Sequence, residues 1–379
     1  MPILIYVLAL AAFAQGTSEF MLAGLLTDIS TDLDVSPAVA GTLTSAFAAG
    51  MVVGAPLMAA FGARLPARRS LVILLLVFVS VHAVGAFAES FELLLATRVV
   101  AALANAGFLA IALGTVRRVV PIAAVTRAVS VLLAGTTLAA IAGVPAGAAL
   151  AEASGWRSTF WGVAVLCVPA IVGLLLDRSL RLSGVGPRFD VRVELAELRR
   201  WPVLGVVVLA MLVNAGTFGV FTYLGLIGEE SGLEGAAIPL LLAAFGVGSF
   251  LGVSATARWA GVRERLWVVA GSVLLAMVWA VFAAVSSVSW GIVVMAAVGG
   301  IVSFAVGATL IGRIVREATN APVMGGAYAT AALNMGALAG PLAAGAALVA
   351  FGPAGVLGVG AVLALCAAVL STFAIARRP

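Results

Sequence analysis

The chain has no lysine and a single histidine in 379 residues, and only 10% of it is charged. A soluble domain carries about 25% charged residues, so a surface of this poverty is not built for water. One histidine and two cysteines leave no spacing that would hold a metal, and no cofactor is expected. Cys167 and Cys366 both fall inside apolar runs, where a thiol packs as a small hydrophobe and forms no disulfide. The runs also lack a nucleophile–base pair or paired carboxylates, which argues against an enzyme.

What the chain does contain is hydrocarbon: 63% of its residues are hydrophobic. Apolar runs long enough to cross about 30 Å of bilayer core recur from end to end. They predict an all-α integral membrane protein with twelve transmembrane helices. The spans fall at about 4–26, 39–61, 70–88, 92–115, 128–151, 158–177, 202–226, 237–257, 267–286, 290–312, 323–350 and 353–375. The first run lacks a basic leader and a small-residue cleavage site, so it reads as a retained span and not a signal peptide.

All 21 basic residues are arginine. All but Arg98 and Arg157 lie at one side of this map, in the connections after even-numbered spans, around Arg64, Arg117, Arg178, Arg258, Arg313 and Arg377. The opposite loops are acidic, with Asp28, Asp32, Asp34, Glu89, Glu152, Glu229, Glu230 and Glu234. Arginine-rich connections mark the cytoplasmic side, so both termini are expected in the cytoplasm, with the chain multi-pass in the membrane. The net charge of +5 is therefore a topology signal, and no nucleic-acid partner is expected.

The longest polar connection divides the chain into a six-helix bundle over 1–177, a linker over 178–201 and a second six-helix bundle over 202–379. Val191, Leu195, Leu198 and Trp201 recur in the linker at helical spacing among charges, as in an amphipathic helix lying on the membrane surface. The two bundles read as repeats. Gly16-Thr17 returns as Gly216-Thr217, and Gly143-Val144-Pro145-Ala146-Gly147 is answered by Gly340-Pro341 and Gly345. Paired repeats of this kind build transporters that rock two bundles around a central site.

Glu19 is the carboxylate that cannot leave the membrane. An ionised carboxylate in hydrocarbon costs at least several kcal/mol, so it faces water, holds a proton or pairs with a cation. At 1.5 Å per residue Glu19 lies about 10 Å below the outer interface and Arg98 of span 4 about 9 Å below it. The two charges share a depth, which permits pairing directly or through water. Arg98 alternatively snorkels to the headgroups. Asn105 follows on the Arg98 face, with small Ala101 and Ala102 between, as on a cavity wall. In the register of the repeat Glu19 answers to Gly219, so proton coupling is assigned to the first bundle. His82 lies at a similar depth, as a proton relay or a packed residue. Gln15, Glu19, Asn105, Asn214 and Asn334 form the expected substrate-contact set; amides such as Asn214 and Asn334 equally bond between helices. Tyr6, Tyr223 and Tyr328 are expected in the aromatic belts. Pro145 between Gly143 and Gly147 marks a bend that can gate.

These features together resemble the major facilitator superfamily, and within it the drug:proton antiporter branch of twelve-span exporters. The antiporter signature of span 5 is resembled by Ala139, Gly143, Pro145 and Gly147. The span 4 arginine is Arg98, and the Trp-Arg pair opening span 6 is Trp156-Arg157. The loop after span 2 keeps Gly62, Arg64, Arg68 and Arg69 but has Ala63 where the branch has aspartate. Around Phe13–Met21 and Thr44–Met58 the chain is similar to bacterial chloramphenicol-resistance exporters, and sugar-efflux and arabinose-induced relatives share the Glu19-Phe20 pair. The resemblance implies a monomeric proton-coupled antiporter of neutral amphiphilic drugs, foremost chloramphenicol, working by alternating access. Glu19 and Arg98 couple the proton and Gly143, Pro145 and Gly147 gate. A sugar exporter of the same fold is the alternative.

Overall fold

The computed structural model describes residues 2–61, 66–121, 124–177, 196–259, 264–286, 289–318 and 324–374. Among them the backbone is helical, with no strand. An apolar helix satisfies all its backbone groups internally, which is what hydrocarbon demands. The elements are α1 (Ile3–Phe20), α2 (Leu26–Asp32), α3 (Pro37–Phe61), α4 (Ala67–Ala86), α5 (Phe91–Val119), α6 (Val125–Leu138), α7 (Val144–Ser154) and α8 (Trp156–Leu176). They continue with α9 (Trp201–Thr222), α10 (Leu224–Glu230), α11 (Ala237–Trp259), α12 (Glu264–Ala284), α13 (Ser289–Glu317) and α14 (Met324–Ala374).

Eleven stretches among the described residues are long and apolar enough to cross a membrane. The last, within α14, is broken at Gly352, whose φ of 65° and ψ of −161° leave the helical region. Glycine tolerates that φ because it has no Cβ. The arms on either side, 324–351 and 353–374, measure about 42 and 33 Å, each enough for the bilayer core. Gly155, with φ 77°, separates α7 from α8 in the same way. The Ser90 hydroxyl caps α5 by accepting the Leu93 amide at 3.3 Å.

The chain forms two compact units, Met1–Val35 with Ala46–Pro187, and Ser36–Ser45 with Arg188–Pro379. In the first, α1 packs on α6 and α8, and α4 on α5 and α8. Lipid tails are as apolar as leucine, so packing in the membrane relies on small residues that let backbones approach. Gly135 lies on the Ala9 carbonyl of α1, and Gly50 and Gly54 of α3 receive Ala102 and Ala106 of α5. Ala101 and Ala102, expected on a cavity wall, are both buried, and Ala102 lies against Gly50 of α3.

In the second unit α9 runs along α14 and α11 along α13. Tyr223 and Tyr328 are not belt residues: both are buried, while Tyr6 is 56% exposed. The Tyr223 hydroxyl donates to the Pro341 carbonyl at 3.1 Å, and Gly41 and Gly345 supply the room its ring tip needs. The linker expected to hold an amphipathic helix lies outside the described residues as far as 195. Beyond it the chain makes a short turn, Glu197–Arg199, and enters α9 at the half-exposed Trp201. Ala63, Arg64, Arg178, Arg181, Arg188, Arg192, Arg263, Arg377 and Arg378 also lie outside the described residues.

Candidate functional site

Glu19 stands one residue before the end of α1, where the α-helix passes into a 3₁₀ turn over Met21–Gly24. Residues 14–18 are buried, whereas Glu19 is partly accessible. The Asn105 side chain of α5 and the charge of Arg98 both act on its carboxylate. One turn earlier on the same helix face is Gln15, fully buried, with neither its Oε1 nor its Nε2 bonded to protein. The Asn105 Oδ1 is likewise buried and without a protein partner.

Arg98 is 1% exposed, so it does not snorkel. Its fork closes on Ser18: one Nη donates to the Ser18 hydroxyl at 2.8 Å and the other to the Ser18 carbonyl at 2.6 Å. The last carbonyls of a helix have no intrahelical donor, and a cation is favoured at that end. Arg98 thus finishes α1, and its guanidinium lies over the Phe47 ring of α3, 4.6 Å from the centroid. Its charge reaches Glu19 across space and not through an ion-pair contact.

The sequence reading missed Ser18 and left His82 as either a proton relay or a packed residue. The single histidine is 1% exposed in α4 and meets Ser18 Oγ at 2.6 Å through Nε2. A lone histidine at the depth of Glu19 was the only signal available. The choice of Ser18 depended on the rotation of α1, which sequence does not give.

The bend expected at Gly143-Val144-Pro145-Ala146-Gly147 is a π-helical turn over Ala139–Gly143 between α6 and α7. Pro145 has no N–H for the Ile141 carbonyl and its ring would strike that carbonyl, so the backbone widens. Gly143 leaves room for the Thr17 side chain of α1. Gly147 leaves room for Thr159 of α8, whose hydroxyl donates to the Gly147 carbonyl at 2.9 Å. The motif therefore packs against α1 just before Glu19.

Asn214 and Asn334 belong to the second unit. Asn214 Nδ2 donates to the Leu333 carbonyl of α14 at 2.5 Å, and Asn334 Nδ2 to the Thr330 carbonyl of its own helix at 2.9 Å. Both amides serve helix carbonyls, in contrast to the unbonded Gln15.

A sequence profile of the Major Facilitator Superfamily matches residues 8–331. The chain belongs to the major facilitator superfamily. A chloramphenicol resistance protein of Streptomyces lividans is 48% identical over 349 residues, covering 91% of this chain and 88% of the relative. The inner membrane transport protein YdhP of Escherichia coli K12 is 33% identical over 347 residues, covering 89% and 87%. A solved bacterial homologue of the human lysosomal transporter Spinster, inward-facing and occupied, matches with a TM-score of 0.75 over 98% of this chain and 96% of its own. Its 16% identity shows the fold alone. This superfamily member is a multi-pass transporter of the bacterial plasma membrane and not an enzyme.

Proposed function

We propose that the chain is a proton-coupled exporter of neutral amphiphilic drugs, with chloramphenicol the foremost substrate. It works as a monomer of twelve spans with both termini cytoplasmic, and the first bundle carries the coupling. The observation that carries this reading is a partly accessible Glu19 within reach of Asn105 and of the Arg98 charge, one turn from a buried amide with nothing to bond. Exposed to hydrocarbon, the carboxylate must be neutralised, and a proton taken from outside does so. On the inward side, drug arriving at Gln15 and Asn105 finds amide donors and acceptors suited to hydroxyl and amide groups. Release of the proton to the cytoplasm and of the drug to the outside then completes one exchange. Arg98 holds positive charge beside the carboxylate throughout, and the π turn with Gly143, Pro145 and Gly147 gives α6 and α7 a point of bending. The name of the Streptomyces lividans relative supports the choice of drug.

With one titratable carboxyl and a neutral drug, the simplest cycle exports one drug per proton and moves one positive charge inward. Each 100 mV of membrane potential then contributes about 2.3 kcal/mol, a gradient of roughly fifty-fold. In vesicles clamped at equal pH, a potassium–valinomycin potential should therefore drive chloramphenicol flux. Flux blind to the potential refutes the one-to-one exchange. A sugar exporter of the same fold is the second reading, since the Gln15 and Asn105 amides also suit a polyhydroxylated ligand. Proton flux driven by arabinose and not by chloramphenicol would establish it.

A further inference from the structure

His82 lies behind Ser18, away from the residues assigned to substrate and proton, yet it is tied into them by one continuous run of hydrogen bonds. The Phe78 carbonyl, 2.7 Å from Nδ1, can only accept, so Nδ1 carries the ring proton. Nε2 is then the lone-pair nitrogen, and the Ser18 hydroxyl donates to it at 2.6 Å. With its proton committed, Ser18 Oγ presents a lone pair to the Arg98 Nη1–H at 2.8 Å. Each of these three bonds pairs one donor with one acceptor, while the buried Arg98 Nε has no protein partner. A ring protonated on both nitrogens would reverse the His82–Ser18 bond, with Ser18 Oγ accepting from both Nε2–H and Arg98 and its own proton turned to another acceptor.

The neighbouring residue shows what Ser18 would otherwise do. The Thr17 hydroxyl donates back to the Phe13 carbonyl of its own helix at 2.8 Å, the usual resort of a hydroxyl in a helix. Ser18 does not, because His82 holds it across the helix interface. The imidazole has little freedom, with the Phe78 ring 4.2 Å away, the Phe160 ring 5.7 Å away, and 1% exposure. Of the charged side chains on helices packed against α4, Arg98 of α5 is the one whose charge reaches the ring.

We propose that His82 is a positioning residue: its bond to Ser18 aims the Ser18 lone pair at Arg98 and so fixes where the guanidinium charge stands relative to Glu19. Losing that bond lets Ser18 fall back on the Ala14 carbonyl. Arg98 then keeps the Ser18 carbonyl but loses the hydroxyl. The functional consequence rests on the proton-coupling reading above; the hydrogen-bond run itself does not.

The experiment has two arms. His82 is the chain's single histidine, so uniform ¹⁵N-histidine labelling, with a purification tag free of histidine, reports this ring alone. The wild type should show the Nδ1–H tautomer, and Ser18→Ala and Arg98→Lys should each move the Nε2 resonance. An Nε2–H tautomer, or an Nε2 resonance indifferent to Ser18→Ala, overturns the proposal whatever the protein transports. The second arm is chloramphenicol-driven proton flux in proteoliposomes. His82→Gln keeps an acceptor for Ser18 and should retain most of the flux. His82→Phe keeps the bulk but no acceptor and should lose about threefold to tenfold, the range one hydrogen bond is worth. Ser18→Ala should match His82→Phe, with the double variant no worse than either. A residue that only packs gives the opposite order, with Phe tolerated and a buried Gln harmful, and that order refutes the positioning role. If the wild type gives no drug-driven flux, the proposed function fails, and the ring resonances still decide the hydrogen-bond run.

Discussion

Gly143→Ala tests the packing of the π turn against α1. A Cβ at Gly143 would strike the Thr17 hydroxyl oxygen and stand 3.0 Å from both Thr17 Cβ and Cγ2. Neither partner yields easily. Thr17 is 4% exposed with its hydroxyl bonded to the Phe13 carbonyl, and Gly143 is buried at the junction of the π turn and α7. Overpacking a close-packed site costs about 1–3 kcal/mol, a factor of roughly 5 to 150 in an equilibrium constant. Thr17→Ala removes the two outer atoms and leaves a Cβ contact that a shift of a few tenths of an ångström would relieve. Alone it should cost less than about 1.5 kcal/mol, because the hydroxyl it deletes served a carbonyl already in the helix. The pair Thr17→Ala with Gly143→Ala should then be about 1–2 kcal/mol more stable than the sum of the single changes. Thermal denaturation of the detergent-purified protein measures all three, with chloramphenicol export in parallel. Simple additivity, or a harmless Gly143→Ala, would mean that α1 and the π turn do not meet as described.

Glu19→Gln should abolish proton-coupled export and leave membrane insertion intact, since the amide cannot exchange a proton; export undiminished at normal expression sinks the coupling role. Arg98→Ala should stop drug-driven proton flux and Arg98→Lys retain part of it, because an ammonium lacks the fork that holds both Ser18 atoms. Arg127→Ala, at an exposed arginine, should leave flux unchanged; equal damage from both alanine variants would show a general charge effect and no special place for Arg98. Asp32→Asn should destabilise by no more than about 1 kcal/mol, because the Arg157–Asp32 pair, at 2.5 Å, leaves 36% and 42% of its side chains exposed. A loss of several kcal/mol on thermal denaturation would contradict that.

The helices were legible because hydrocarbon thickness sets a minimum length that few other physical demands impose. Glu19, Arg98 and Asn105 were legible as a group for a related reason: a charge inside an apolar run must be answered, and depth along a helix follows from counting residues. Depth does not give rotation. Whether Arg98 meets Glu19 or Ser18 depends on a turn of α1 about its own axis, decided by Gly16 lying on Ala139 and Gly143 receiving Thr17, contacts some 120 residues apart in the chain. The same blindness placed Tyr223 and Tyr328 in the belts. An amphipathic ring near a helix end looks alike in sequence whether its hydroxyl meets headgroups or the Pro341 carbonyl.

The packing at Gly219 bears on why the Glu19 carboxylate has no counterpart in the second unit. At Gly219, the position answering to Glu19, a Cβ would stand 3.1 Å from the Gly340 carbonyl oxygen and 3.3 Å from the Ala344 Cβ. Three residues earlier, Gly216 meets the Gly360 carbonyl in the same way, so α9 is held between both arms of α14. The backbones approach that closely only because glycine is there, and the contact supplies the dispersion that holds helices together in lipid. A carboxylate at Gly219 would have to part α9 from α14 before it could meet a proton. In α1 the close contacts fall on Gly16, which meets Ala139, and on Thr17, which Gly143 receives, while Glu19 as a residue stays partly accessible. The close contacts of the first unit fall on the residues just before Glu19 and those of the second on the corresponding position itself, and the proposed coupling to the first unit accords with that difference.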